Sequence, residues 1–352
     1  MARAEPSASF LPSGLRWAGP ALAALYGLGV TFDRAISRAH FAPITTLCVG
    51  NMTVGGTGKT PAVICIARGL VARGRKPAIL MRGYKAQGGD EAEEVKAALT
   101  GLNVPIVLGS DRHASALKAR DMGCDVALLD DGFQHWRLKR DLDIVLVDAT
   151  NPFGGGAILP HGKLREPIAG LSRAGMIVVT RSDALSSDHE RDDLQRELVR
   201  LSGSKPICFA QHAPVGVRRV GEGGGEWPLE KLKNARAIAA CGIGNPGAFE
   251  KTLSTRGVVV LDFKTYDDHH DFTRSDMDSL SKSARETSAD FIVVTEKDAV
   301  KIEKLNQHCD VPIVALRVEF KIEHDDEFWR VVSEYLQRGD ARCGDVMQLH
   351  QG

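Results

Sequence analysis

The sequence predicts an α/β fold: a mainly parallel sheet core followed by a second, smaller α/β domain. Three observations carry this. Short, continuous apolar runs alternate with helical stretches, as parallel strands buried on both faces require. A glycine-rich turn stands between the first apolar run and the first helix after it. The alternation breaks off around Val215–Pro228, a glycine- and charge-rich stretch, and then begins again. A chain of 352 residues also suits two domains better than one, at roughly 150 residues each.

In order, Ile44–Val49 reads as a strand and Lys59–Arg73 as a helix closed by Gly74. Ala78–Met81, Ile106–Leu108, Val126–Leu129, Ile144–Val147 and Ile177–Thr180 read as further strands, with a helix at Asp111–Met122. The second series comprises Ala237–Cys241, a helix at Pro246–Arg256, Val258–Phe263, Phe291–Thr295, Ile313–Val318 and a helix at Asp326–Leu336, before a frayed tail. The expected organisation is an N-terminal segment 1–40, a first domain 41–210, a linker 211–230, a smaller domain 231–340 and a tail 341–352.

Hydrophobic residues make up 43% and charged residues 26%, enough apolar material for a packed core and too much for a disordered chain. Lys+Arg and Asp+Glu are each 45, so bulk charge gives no reason to expect a nucleic acid partner. The 7 cysteines are widely spaced without a C-x-x-C, which argues against a disulfide framework or structural zinc and for a reducing compartment.

Trp17 to Phe32 carries no charge. Its ~16 residues span ~24 Å as a helix, short of a hydrocarbon core of ~30 Å, and Pro20 interrupts it. Flanked by Arg16, Arg34 and Arg38, it reads as a membrane-surface element. Packing on the protein's own core and a cleaved signal peptide are the competing readings, the latter poorly served by Glu5 and Arg16.

The strongest local signal is Thr53-Val54-Gly55-Gly56-Thr57-Gly58-Lys59-Thr60, between a strand and a helix. It follows the Walker A pattern with Thr53 in place of the first glycine. Such a loop turns backbone N–H groups toward phosphate oxygens at a helix N-terminus. Lys59 neutralises β- and γ-phosphates in such a loop, and Thr60 holds Mg²⁺. The acid expected on a neighbouring strand is Asp130 or Asp131, after Val126–Leu129. Asp148 ends another apolar run and competes, without the Gly132-Phe133-Gln134-His135 turn beside it. These features specify a nucleoside triphosphate and a metal, and leave water, a small molecule or a macromolecule open as acceptor.

Further strings, in order, resemble one family. They are Gly50-Asn51-Met52 leading into the phosphate loop, Arg82-Gly83-Tyr84, Gly89-Asp90-Glu91, Leu129 through His135 and Leu164-Arg165-Glu166-Pro167. Gly242-Ile243-Gly244-Asn245-Pro246, Asp268-His269-His270-Asp271 and Thr295-Glu296-Lys297-Asp298 complete the set. Together they resemble the tetraacyldisaccharide 4′-kinases, the lipid A 4′-kinases, over residues 50 to 300; Thr53 is shared with that family's loop.

The resemblance implies a P-loop NTPase-like kinase core, ATP as phosphoryl donor, Mg²⁺ as cofactor and a tetraacylated glucosamine disaccharide 1-phosphate as acceptor. It also implies lipid IVA as product and the cytoplasmic face of the bacterial inner membrane as location. By resemblance Asp90 is the base that takes the proton from the 4′-hydroxyl, and His269 pairs with it. Read from the residues alone, Asp90 is an N-cap before it is a base, with Glu93 at capping-box spacing, and His269 lies in a polar loop; the resemblance reverses the order. Arg165 has the planar donors to hold a phosphate oxygen, or else pairs with Glu166. Gln134 and His135 line the nucleotide or metal site by resemblance. Arg82 and Tyr84 end a strand near the site and are candidates to meet the acceptor. Asn245 opens a helix, as an anion or sugar contact or as a plain turn. Thr295–Asp298 starts a helix and reads as structural or interdomain. The competing functions are a P-loop GTPase switch, with Thr180-Arg181-Ser182-Asp183 in place of a guanine-reading loop, and a membrane-bound scaffold that holds ATP.

Overall fold

The computed structural model describes Phe10 and residues 17–83, 90–221, 225–268, 270–305 and 309–349. The elements run α1 (Gly19–Ile36), β1 (Thr45–Asn51), α2 (Lys59–Ala72), β2 (Pro77–Met81), α3 (Asp90–Ala98), β3 (Ile106–Leu108) and α4 (Arg112–Asp121). Then come β4 (Val126–Asp130), β5 (Leu142–Asp148), β6 (Met176–Thr180), α5 (Asp188–Ser202), β7 (Ile207–Arg219) and β8 (Glu226–Trp227). The chain continues through β9 (Arg236–Cys241), α6 (Pro246–Thr255), β10 (Val259–Thr265), α7 (Arg274–Glu286) and β11 (Phe291–Thr295). It ends with α8 (Glu296–Glu303), β12 (Ile313–Ile322) and α9 (Asp325–Leu349). Two compact units result, one formed by residues 1–211 and 320–352, the other by His212–Glu319.

The larger unit is built on strands in the order β7-β6-β5-β1-β4-β2-β3, every adjacent pair parallel. Alternate residues of one strand serve opposite faces. Leu47, Leu128, Ile144 and Val178 pack with α2, α3 and α9, through Ile66, Val95 and Phe328. On the other face, Cys48, Leu129 and Leu80 meet Ala116 and Ala119 of α4, while Val145 and Ile177 meet Leu194 and Leu198 of α5. Both faces are covered, which is why β1 is buried at all seven positions. The doubly wound, mainly parallel core is that of P-loop NTPases, as the alternating runs predict.

The smaller unit carries β10, β9, β11 and β12 as parallel neighbours, with β8 antiparallel to β7. Its α7 is the most amphipathic by pattern, with Met277, Leu280 and Ala284 buried and a complete capping box between Thr273 and Asp276.

Two expectations are corrected here. The stretch 211–230 is not a linker: β7 runs through Ile207–Arg219 and pairs with β8 at Val217 and Trp227. Among its described residues Arg219, Gly221, Gly225 and Glu226 are exposed, so composition misled. The C-terminal helix belongs to the larger unit and does not fray at Arg338; it continues to Leu349. Asp340 accepts from Thr45 at 2.8 Å and from Arg75 at 2.9 Å, and Arg342 donates to Asp141 at 2.8 Å. These contacts fasten the helix to the edge of the core.

In α1 the burial is inverted. Gly19, Ala23 and Gly27 face the protein, while Leu25, Leu28, Phe32 and Ile36 are each more than 60% exposed. Its large side chains therefore do not join the core. No helix among the described residues is long and apolar enough to cross a membrane.

Candidate active site

The site begins where β1 ends. Asn51, fully buried, donates through Nδ2 to the carbonyl of Thr53 at 2.7 Å and to Thr57 Oγ1 at 2.9 Å. Its Oδ1 lies 3.4 Å from Lys59 Nζ. One amide thus ties the loop's start, its middle and its lysine together. In the sequence Asn51 stands only within the Gly50-Asn51-Met52 string, and no spacing marks this role. Gly58, the N-cap of α2, takes φ 84°, a left-handed conformation that side chains rarely adopt. No atom stands within 4 Å of where a Cβ on Gly55 or Gly56 would be, so the loop's surface is open to a ligand.

The loop's outer wall is the Lys163–Arg165 segment. Val54 N–H donates to the Lys163 carbonyl at 2.8 Å, and Arg165 N–H to Met52 at 2.7 Å. That pairing brings the Arg165 side chain beside the end of β4. Its Nη1 contacts both oxygens of Asp131, at 2.8 and 2.9 Å, and Lys59 Nζ lies 3.9 Å from the same carboxylate. Asp131 has φ 53°, which turns it out of the strand direction toward these cations. Arg165 therefore pairs with Asp131, not with Glu166.

Glu166 is buried and pairs with Arg173 at 2.8 Å. The Arg173 guanidinium lies over the rings of Phe133 and Trp136, at 4.4 and 4.6 Å. Gln134 Nε2 donates to Glu166 Oε1 and to the Asn51 carbonyl, both at 2.9 Å. Gln134 thereby joins the phosphate loop to the Asp131 turn.

Asp130 behaves differently from its neighbour. It is buried, its Oδ1 has no hydrogen-bond partner, and burial together with the charge of Asp131 pushes its pKa up to about 7. Arg112, also buried, donates to the Asp130 carbonyl at 3.4 Å and to Gly109 at 2.5 Å. Arg112 is a cation of this site that sequence reasoning missed, since only the fold brings the start of α4 to the end of β4.

His135 is half-buried, with its Nε2 unpartnered, and burial and the nearby Arg112 depress its pKa to about 4. Arg82 is exposed past the end of β2. Tyr84 and His269 lie outside the described residues, as does the side chain of Asp90, whose backbone opens α3. Asp148 ends β5 and is taken up by Arg181.

An open phosphate cradle followed by Lys59 and Thr60, facing an acid pair on the adjacent strand, is the arrangement used to bind and move phosphoryl groups. The model of one family, described as LpxK: Tetraacyldisaccharide-1-P 4'-kinase, matches residues 15–337. The chain belongs to this family. A tetraacyldisaccharide 4'-kinase of Syntrophus aciditrophicus is 36% identical over 337 residues, covering 88% of each chain. One from Halothermothrix orenii is 33% identical over 324 residues, covering 82% of this chain and 83% of its own. A crystal structure described as the "apo" form of LpxK from Aquifex aeolicus in complex with ATP has 25% identity and TM-score 0.68. It covers 92% of this chain and 99% of that one.

In the smaller unit of this tetraacyldisaccharide-1-P 4'-kinase family member, Asn245 caps α6 by accepting from Ala248 N–H at 3.2 Å. The Thr295–Asp298 string starts α8 and fixes loops. Asp298, fully buried, accepts from Gly242 N–H at 3.0 Å. Lys297 reaches Asp268 at 3.1 Å and Lys301 donates to the His270 carbonyl at 2.9 Å. The residues on both sides of position 269 are thus held from one helix.

Proposed function

We propose that this chain transfers the γ-phosphate of ATP to the 4′-hydroxyl of tetraacyldisaccharide 1-phosphate, giving lipid IVA. The observation that carries the reading is the strand–loop–helix cradle of Thr53–Thr60 with Lys59 tethered to Asn51 and Asp131. In this reading the loop of Thr53, Val54, Gly55, Gly56, Thr57, Gly58, Lys59 and Thr60 surrounds the β- and γ-phosphates, with Gln134 beside it; the N–H groups of Val54 and Thr57 are taken by the carbonyls of Lys163 and Gly55, so the donors are those of the other loop residues. Lys59 and Arg165 stabilise the charge that spreads over the transferring group. These two cations share Asp131, and a γ-phosphate would compete for both.

Mg²⁺ fits the donors present. Asp130 offers a buried carboxylate oxygen with no other partner, and Thr60 offers a hydroxyl at the helix start; Asp131 is engaged by Arg165. Asp130 and Thr60, with Asp131 nearby, would hold the ion, whose contribution when bound is to neutralise phosphate oxygens. No group of three or more His, Cys, Asp or Glu side chains among the described residues could hold a metal. That suits an ion carried mainly by substrate phosphates.

Asp90 is the base for the 4′-hydroxyl in this reading, and His269 orients it. Positioning and charge neutralisation account for most of the rate, and proton removal for about 10²–10⁴-fold. Arg82, Tyr84, His135 and Asn245 are the acceptor-side candidates. His135, held neutral, would act as a neutral hydrogen-bonding group.

A four-chain lipid stays in the bilayer, so the enzyme must work at its surface. The outward apolar side chains of α1 support docking of residues 1–40 on the cytoplasmic face of the inner membrane. The larger unit is then the kinase domain. ATP labelled at the γ-phosphate tests the reading. Label on a glycolipid supports it, release as inorganic phosphate points to a switch, and retention on ATP points to a scaffold.

A further inference from the structure

We infer that Thr180 and Arg181, at the end of β6, are positioning residues that clamp the phosphate loop from behind and set its affinity for nucleotide phosphates. The inference rests on the phosphate-loop reading above.

Thr180 is fully buried, and its Oγ1 donates to the carbonyl of Thr57 at 3.1 Å. Arg181 follows in a left-handed conformation, φ 54°, unusual for a residue with a long side chain. Its Nη2 donates to the carbonyl of Gly56 at 2.5 Å. Its Nη1 pairs with Asp148 Oδ2. The other Asp148 oxygen, Oδ1, accepts from the N–H and hydroxyl of Thr150, at 3.0 and 2.7 Å, so the carboxylate is fixed at both ends. Ser182 donates to Glu323 at 2.5 Å, and Glu323 pairs with Arg191 at 2.7 Å. The backbone that bears Arg181 is braced on both sides.

The consequence follows from peptide geometry. In a trans peptide the carbonyl and the next residue's N–H point in opposite directions. Holding the Thr57 carbonyl toward Thr180 turns the Gly58 N–H the other way. Holding the Gly56 carbonyl toward Arg181 turns Thr57 N–H away likewise, and it donates to the Gly55 carbonyl at 3.1 Å, closing the turn within the loop. Two consecutive peptide planes are thus fixed by side chains from one neighbouring strand end. Gly55, Gly56 and Gly58 would otherwise leave this loop free to sample many conformations, and ordering it at the moment of binding would weaken the nucleotide's hold. The left-handed backbone at Arg181 aims the guanidinium at the loop. This gives a role to a string, Thr180-Arg181-Ser182-Asp183, that the nucleotide reading had left over.

The test uses the full chain with Arg181→Ala and, separately, Thr180→Val, which keeps the buried volume and removes the donor. Calorimetric titration with Mg²⁺ and ATP, and with ADP, reads affinity; steady-state transfer reads KM and kcat. Losing a charge-assisted hydrogen bond should weaken both nucleotides about 10–100-fold in Arg181→Ala. Losing a neutral one should weaken them roughly three- to tenfold in Thr180→Val. KM for the lipid acceptor should not move. A merely structural defect would lower kcat at unchanged KM for ATP, and that result overturns the inference. So do nucleotide affinities within twofold of wild type in both variants. If Arg181→Ala does not fold, Thr180→Val decides. Failure of the wild-type chain to bind ATP would instead sink the underlying reading.

Discussion

Glu166→Ala should destabilise the larger unit far more than removal of an ordinary surface charge. The Glu166 side chain is 3% exposed and that of Arg173 is 16% exposed, and they meet at 2.8 Å. Removing the carboxylate leaves a guanidinium wedged over Phe133 and Trp136 without its counter-ion, and takes an acceptor from Gln134. Stranding one partner of a buried pair costs about 3–5 kcal/mol. For a unit of this size that is a fall of roughly 10 °C in Tm, at ~2–4 °C per kcal/mol. Thermal and urea unfolding followed by tryptophan fluorescence would read it, with Trp136 at the perturbed site. Replacing both partners by apolar residues, Glu166→Leu with Arg173→Met, should restore more than half of the loss, because no unpaired charge then remains. A cost below about 1 kcal/mol for Glu166→Ala, the range of exposed pairs, would refute this reasoning.

Three further outcomes are expected. Lys59→Ala should abolish phosphoryl transfer by removing the cation of the loop, and substantial residual transfer in a radiolabel assay would contradict its role. A Cβ on Gly69 would sit 1.9 Å from Trp329 Cζ2, so Gly69→Ala should cost about 1–3 kcal/mol in urea unfolding through overpacking of α2 against α9; unchanged stability would show that this contact gives way. His135 has a folded pKa of about 4 against an ordinary 6.5, so the unfolded chain binds the proton more readily and stability falls as pH drops through that window. His135→Gln should remove up to about 3 kcal/mol of that loss, read as a flatter profile between pH 7 and 4.5; an unchanged slope would count against it.

Signals local in sequence carried the fold and the centre of the site. Apolar runs such as Val126–Leu129 are strands buried at every position, and Gly58-Lys59-Thr60, after a glycine-rich stretch that follows a strand, opens α2. What escaped was set by partners distant in the chain. Asp340 and Arg342 extend α9 only because Thr45, Arg75 and Asp141 meet them from the core. Composition at Val215–Pro228 spoke for a linker, yet β7 runs into it as far as Arg219 and pairs with β8. Arg112 and Arg181 reach the site from α4 and β6, and no spacing in the sequence relates them to Asp130 or Gly56. Arg165 next to Glu166 suggested a pair, but consecutive side chains diverge, and each found its ion partner elsewhere, at Asp131 and Arg173.

The central claim is that the Gly55–Thr60 bend holds the triphosphate. A crystal structure with a non-hydrolysable ATP analogue tests it most directly. The β- and γ-phosphate oxygens should lie within hydrogen-bond distance of the amides of this bend and of Lys59 Nζ. A triphosphate bound elsewhere on the protein would contradict the account.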